Sequence, residues 1–157
     1  IDAVVVHAIT LPPGEFQTDA IEDLFLGFLD ITAHPYYATV KSSKVSAHFL
    51  IDRVGKLAQF VPVTRRAWHA GVSSLNDRDR VNDFSVGIEL VGSDATEFEA
   101  KQYVALAYLI RALQSAYPSI SNERIVGHSD IAPGRKTDPG PRFDWSHLRQ
   151  LLASISV

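Results

Sequence analysis

Apolar positions recur along the chain in two rhythms, and the switches between them mark out the elements. Ala3 to Ile9 is apolar except for His7, the pattern of a strand covered on both faces. Leu11-Pro12-Pro13-Gly14 then breaks the run. Ile21, Leu24, Phe25 and Phe28 stand at i, i+3, i+4 and i+7, which predicts a helix with all four on its inner face. Residues 30–44 lack a clear period and read as irregular, with His34-Pro35-Tyr36-Tyr37 a loop that can lie near a site. Residues 45–51 and 57–61 read as two strands joined through Arg53-Val54-Gly55-Lys56, a hairpin.

Residues 64–83 show little periodicity and predict a long surface connection, and 84–91 reads as another buried strand. Thr96-Glu97-Phe98-Glu99 has the form of a capping box, a side-chain acceptor followed by an acid three positions on. The helix behind it turns Val104, Leu106, Ala107, Ile110 and Leu113 inward and ends near Tyr117-Pro118. Ile125-Val126 is a short strand. Asp144 opens a last helix with Leu148, Leu151, Leu152 and Ile155 inward. Strands interleaved with helices, plus one hairpin, predict an α/β fold: a single-domain mixed β-sheet flanked by α-helices. With no internal repeat, linker or low-complexity tract, residues 1–157 read as one domain.

Composition narrows the chemistry. The 157 residues carry no cysteine and six histidines, and a net charge of −3 with those histidines neutral. A disulfide scaffold, a thiolate zinc site and a catalytic cysteine are thereby excluded. The mild, evenly mixed charge gives no electrostatic case for a nucleic-acid partner. No apolar run approaches the roughly 18 residues that span a bilayer, so no membrane partner is expected either. Ile1-Asp2-Ala3-Val4-Val5-Val6 lacks the basic start and cleavage site of a signal peptide. The chain opens almost inside a strand without an initiator Met, and we expect a further segment ahead of it in the full protein.

Three polar clusters each interrupt or end an apolar strand. His7 follows Val4-Val5-Val6, Glu89 sits within Val86-Gly87-Ile88-Glu89-Leu90-Val91, and His128 follows Ile125-Val126-Gly127. Ten residues after His128 comes Asp138, in Arg135-Lys136-Thr137-Asp138-Pro139-Gly140-Pro141. A carboxylate in a buried strand is costly to desolvate unless a cation or a hydrogen-bond donor meets it. Two imidazoles and a carboxylate are a candidate open zinc set that keeps the fourth position for water. Glu89 is then a candidate general base, and Lys136 a candidate oxyanion stabiliser. Taken singly, a strand-end histidine is more often a hydrogen-bonded core residue, and Asp138 before Pro139-Gly140 is also a natural turn residue.

The order of the motifs goes further. Val4-Val5-Val6-His7, Val45-Ser46-Ala47-His48-Phe49-Leu50-Ile51 and Arg66-Ala67-Trp68-His69-Ala70-Gly71-Val72-Ser73 are followed by Asn82-Asp83-Phe84-Ser85-Val86-Gly87-Ile88-Glu89-Leu90. Gly127-His128-Ser129-Asp130-Ile131-Ala132-Pro133-Gly134-Arg135-Lys136-Thr137-Asp138-Pro139-Gly140 closes the set. The whole chain resembles the zinc-dependent N-acetylmuramoyl-L-alanine amidases, and within them the AmpD type, the 1,6-anhydro-N-acetylmuramyl-L-alanine amidases of cell-wall recycling. The resemblance implies the fold shared with peptidoglycan recognition proteins and Zn2+ held by His7, His128 and Asp138. It places the catalytic glutamate on Glu89 and the catalytic lysine on Lys136. It also implies hydrolysis of the amide between N-acetylmuramic acid and L-Ala in a cytoplasmic monomer acting on anhydromuropeptide. Lys44, Ala67, Trp68, His69 and Arg80 are the expected substrate contacts. His48 reads as structural or site-lining, and His34 and His147 as surface residues. Where relatives commonly carry Asn after the first histidine this chain has Ala8, and Ser129 stands where Cys is common. Two other readings share these motifs: an envelope or lytic amidase on intact peptidoglycan, and a non-catalytic peptidoglycan recognition module.

Overall fold

The computed structural model describes residues 1–40 and 44–155, so residues 41–43 of the expected 30–44 loop lie outside it. A five-stranded sheet forms its centre. Strand β1 (Ala3–Ile9) lies between β6 (Ser85–Val91) and β7 (Ile125–Gly127), parallel to both. On the far side of β6, β2 (Phe49–Ile51) pairs parallel with it, and β3 (Leu57–Gln59) closes the edge antiparallel to β2. The strand order is thus β3-β2-β6-β1-β7. Three further parts of the expected pattern recur here: the hairpin, the mixed sheet and the flanking helices.

The alternation along the central strands decides which layer covers which face. Val4 and Val6 of β1 and Val86, Ile88 and Leu90 of β6 join one apolar cluster with α3 (Ala100–Ala116) and α5 (Trp145–Ser154). Leu106, Ala107, Ile110 and Leu113 supply the α3 side, Leu148 and Leu152 the α5 side. Full burial of each such aliphatic side chain is worth about 1.5–3 kcal/mol, which is ample to seat both helices. Ala3, Val5, Ser85 and Gly87 face the other way and are small. The room they leave admits the chain between residues 67 and 84, and Ala70, Val81 and Phe84 pack there with Ile131 of the short α4 (His128–Ile131). At the β2 end, α1 (Asp19–Leu26) sets Ile21 against Leu50 and Val91, and the short α2 (Tyr37–Val40) packs on the same cluster.

Several expectations change. Gly27 takes a left-handed φ of 79° and stops α1 at Leu26, so Phe28 falls beyond the helix and is 75% exposed. Val104 lies on the solvent side of α3, and Tyr103 takes the inward place. That helix is capped by Glu99, not Thr96: the Glu99 amide donates to Gln102 Oε1 at 3.0 Å, while Thr96 pairs with the Ser93 hydroxyl. Regular pairing in the first hairpin strand starts only at Phe49. Residues 64–83 are not merely a surface connection. They hold the small ribbon of β4 (Ser74–Leu75) and β5 (Arg78–Asp79), with Ala67, His69, Ala70 and Asn82 buried.

Candidate metal centre and active site

The candidate metal ligands and catalytic residues gather toward the carboxyl ends of the parallel strands, where open α/β sheets carry their sites. His7 and Glu89 are register partners on β1 and β6. His128 begins α4 directly after β7. The sequence makes that sharp turn with Gly127 and Asp130: the Asp130 carboxylate accepts from the Gly127 amide at 2.7 Å, and a Cβ at 127 would stand 2.9 Å from Pro139. Asp138 is returned beside His128 by its own carbonyl, which accepts from the Ser129 amide at 3.0 Å.

Three ligand atoms then converge. His7 Nδ1 lies 3.0 Å from His128 Nδ1, and each is 3.1 Å from Asp138 Oδ2. The protons on the two rings follow from what lies behind them. The Ser85 hydroxyl donates to the Val81 carbonyl at 2.7 Å, so its oxygen accepts from His69 Nε2 at 3.3 Å. His69 Nδ1 is then an acceptor, and His7 Nε2 donates to it at 2.9 Å. His128 Nε2 faces the Ala70 carbonyl at 3.1 Å, which can only accept. In its neutral form each ring therefore carries its proton on Nε2 and aims an Nδ1 lone pair at a carboxylate oxygen.

Three acceptors facing one another at hydrogen-bond distance need a cation. Donors about 2.0–2.1 Å from a tetrahedral zinc ion lie about 3.3–3.4 Å apart, close to the triangle seen here. The donor set, two imidazoles and one carboxylate with an open side, is that of a catalytic zinc site. These three residues are the one such group among the described residues. Electrostatics agree. Burial lowers His7 to about 4, against the Asp138 hydrogen bond, so the ring is neutral at pH 7. Burial pushes the Asp138 carboxyl up, but His128 and His7 more than offset this and hold it below the usual carboxylate range.

Glu89 faces the same cavity of about 250 Å³, with Lys136, Trp68, Thr10 and Tyr36. It is 9% exposed, and its Oε2 has no hydrogen-bond partner among the described residues. Burial and the negative Asp138 raise its carboxyl well above the ordinary value, with Lys136 opposing. An unpartnered buried carboxylate oxygen beside an open cavity is a proton acceptor waiting for a donor.

The expected substrate contacts divide. Trp68, 52% exposed, stands at the rim and lines the site cavity, a groove along α1 and the hollow beside Arg80. Arg66 lies under its ring at 4.0 Å. Lys44 lines the α1 groove and Arg80 the opposite hollow, so neither lines the central cavity. The Ala67 side chain is fully buried and lines none of these spaces. His69 does line the cavity, yet both of its nitrogens are engaged. His48 accepts from the Gly87 amide and donates to the Arg65 carbonyl, which completes a structural histidine. His34 is a loop residue accepting from the Tyr36 amide, and His147 stacks edgewise on Tyr103. Sequence reasoning overlooked Ser85, Asn82 and Arg135. Asn82 Oδ1 accepts from the His69 and Ala70 amides at 3.1 and 2.8 Å, and Arg135 donates to the carbonyls of Ala70 and Val72. The signal available for Ser85 was a hydroxyl opening a strand apolar but for Glu89.

The profile of the N-acetylmuramoyl-L-alanine amidase family matches residues 1–141. The chain belongs to that family. The 1,6-anhydro-N-acetylmuramyl-L-alanine amidase AmpD of Citrobacter freundii is 52% identical over 153 residues, which span 98% of this amidase and 81% of that protein. AmpD of Haemophilus influenzae is 48% identical over 145 residues, 92% and 79% of the two chains. A crystal structure of a selenomethionine AmpD derivative superposes with a TM-score of 0.93 at 52% identity, covering 96% of this amidase and 84% of that chain. An Escherichia coli AmiD complex with anhydro-N-acetylmuramic acid-L-Ala-D-γ-Glu-L-Lys gives a TM-score of 0.72 at 32% identity, covering 96% and 57%. The amidase has, among its described residues, no helix long and apolar enough to cross a membrane.

Proposed function

We propose that the amidase cleaves the bond between the lactyl carbonyl of 1,6-anhydro-N-acetylmuramic acid and L-Ala, as a zinc enzyme of peptidoglycan recycling in the cytoplasm. The observation that carries the metal half is the pair of Nδ1 lone pairs turned on one Asp138 oxygen with no donor between them. Support for the substrate half is the 52% identity to a protein named for that substrate. All the groups this reading requires come from one chain, so a monomer would suffice.

His7, His128 and Asp138 would hold zinc, which supplies Lewis acidity and a water acidified toward a pKa of about 7. Glu89 takes the proton of the attacking water, since its side chain lines the cavity with an unpartnered Oε2 and its raised carboxyl is a stronger base than an exposed one. The same group then delivers that proton to the departing amine of L-Ala. Lys136, in the same cavity, compensates the negative charge that develops on the carbonyl oxygen. Trp68 at the rim offers an apolar face to the sugar, while Lys44 and Arg80 on either side suit carboxylates of the stem peptide.

Release of L-Ala peptide from anhydromuropeptide and from intact sacculi, each with and without a chelator, tests this. Rapid chelator-sensitive turnover of the soluble fragment is expected. Preference for sacculi would shift the substrate to polymer, and activity insensitive to prolonged chelation would remove the metal.

A further inference from the structure

We infer that His69 is a positioning residue that locks His7 in its metal-binding tautomer through a buried proton relay ending at the Val81 carbonyl. The inference rests on the metal reading above and asks more of it: that affinity is set by residues that touch neither metal nor substrate.

The relay runs in one direction only. A backbone carbonyl cannot donate, so the Ser85 hydroxyl must point its hydrogen at Val81, 2.7 Å away. The hydroxyl oxygen is left to accept from His69 Nε2, which leaves His69 Nδ1 bare and fixes the His7 proton on Nε2. Reversing any one bond would set two hydrogens or two lone pairs face to face inside the protein. Ser85 is fully buried, and His69 and His7 nearly so, which keeps water from offering an alternative partner. The rings of His7 and His69 meet edge to face, 5.0 Å between centroids.

The backbone around His69 is arranged for this single ring position. Asn82 holds the amides of residues 69 and 70. Gly87 leaves the space the ring fills, since a Cβ there would stand 2.3 Å from His69 Cγ. His128 receives the equivalent service from the Ala70 carbonyl, the neighbour of His69 in sequence. One short stretch, residues 69 and 70, therefore sets the tautomers of both histidines.

The test is zinc affinity, read by competition with a chelating dye, alongside kcat and KM on anhydromuropeptide. His69→Phe removes the acceptor, and Ser85→Ala removes the hydroxyl that fixes the relay's direction. We expect zinc to bind about 10- to 100-fold more weakly in both, the range for lost partners of metal ligands. His69→Gln offers an acceptor to His7 and a donor to Ser85, and it should restore affinity to within a few-fold. Should His69→Phe not fold, Ser85→Ala alone decides, since it deletes one atom. Wild-type affinity in the folded His69→Phe or Ser85→Ala protein would overturn the relay while leaving the metal site standing. Failure of the unaltered protein to bind zinc would overturn the metal reading and the relay with it.

Discussion

Gly87 and His69 divide one volume: the imidazole occupies the place of the side chain that β6 omits, 2.3 Å from where its Cβ would be. Gly87→Ala should therefore displace the ring or bow the strand, at about 1–3 kcal/mol for an overpacked core site. A lower melting temperature and a reduced zinc content in the purified variant are expected together. Unchanged values for both would show that the ring has somewhere else to go.

Glu89→Gln keeps the shape and removes the proposed base. Turnover should fall about 10²- to 10⁴-fold, the usual worth of a positioned general base, while zinc content stays at the level of the unaltered protein. Since the folded protein raises the Glu89 carboxyl, its ionisation opposes folding, by an amount that grows as pH rises above about 4.5. The metal-free Gln variant should accordingly melt no lower than the metal-free parent at pH 7. A kcat near the parent's would remove Glu89 from the chemistry.

Acid should act on the metal-free protein in two stages. His7 titrates near 4 when folded and near 6.5 when unfolded, so the unfolded chain binds the extra proton first. Stability is then lost as pH falls from 6.5 to 4, by something on the order of 3 kcal/mol. Asp138, whose folded value lies below 3.8, adds stability that disappears only beneath that pH. Melting curves from pH 7 to 3 on metal-free protein and on His7→Asn check this, with the first stage smaller in the variant.

Asp83 ties the rim together. Its two oxygens accept from Arg66 at 3.1 Å and Arg80 at 3.0 Å, and Arg66 stacks on Trp68. Exposed pairs of this kind are worth little to folding, so the expected loss is in binding. Trp68→Ala should raise KM about tenfold, and Arg66→Leu about two- to fivefold, the worth of one cation–π contact. In both, kcat should stay within about twofold. Steady-state kinetics on anhydromuropeptide separates the two parameters.

The central sheet was legible because β1 and β6 are buried on both faces and advertise it as near-continuous apolar runs. His7 and Glu89 stood out from those runs for the same reason. The stretch that supports them was not legible. Residues 67–70 bury by contact with small side chains on β1 and β6, and their polar groups are satisfied by Asn82, Ser85 and Arg135 from elsewhere in the chain. No local period can announce a partnership that is wholly non-local. Phe28 failed differently: its helical spacing is correct, but the left-handed Gly27 ends the helix one residue earlier.

The pairing of His7 with Glu89 across β1 and β6 has a consequence for how the site can vary. The gap between the proposed metal ligand and the proposed proton acceptor is measured out by the spacing of adjacent strands, about 4.8 Å, and no loop takes part in setting it. Insertions at the rim can reshape what enters the cleft without detuning that distance. A slip of one residue between the two strands would turn one of the pair toward α3 and silence the enzyme while the sheet still formed. Pairing register, ordinarily a folding matter, is here a calibration of the reaction.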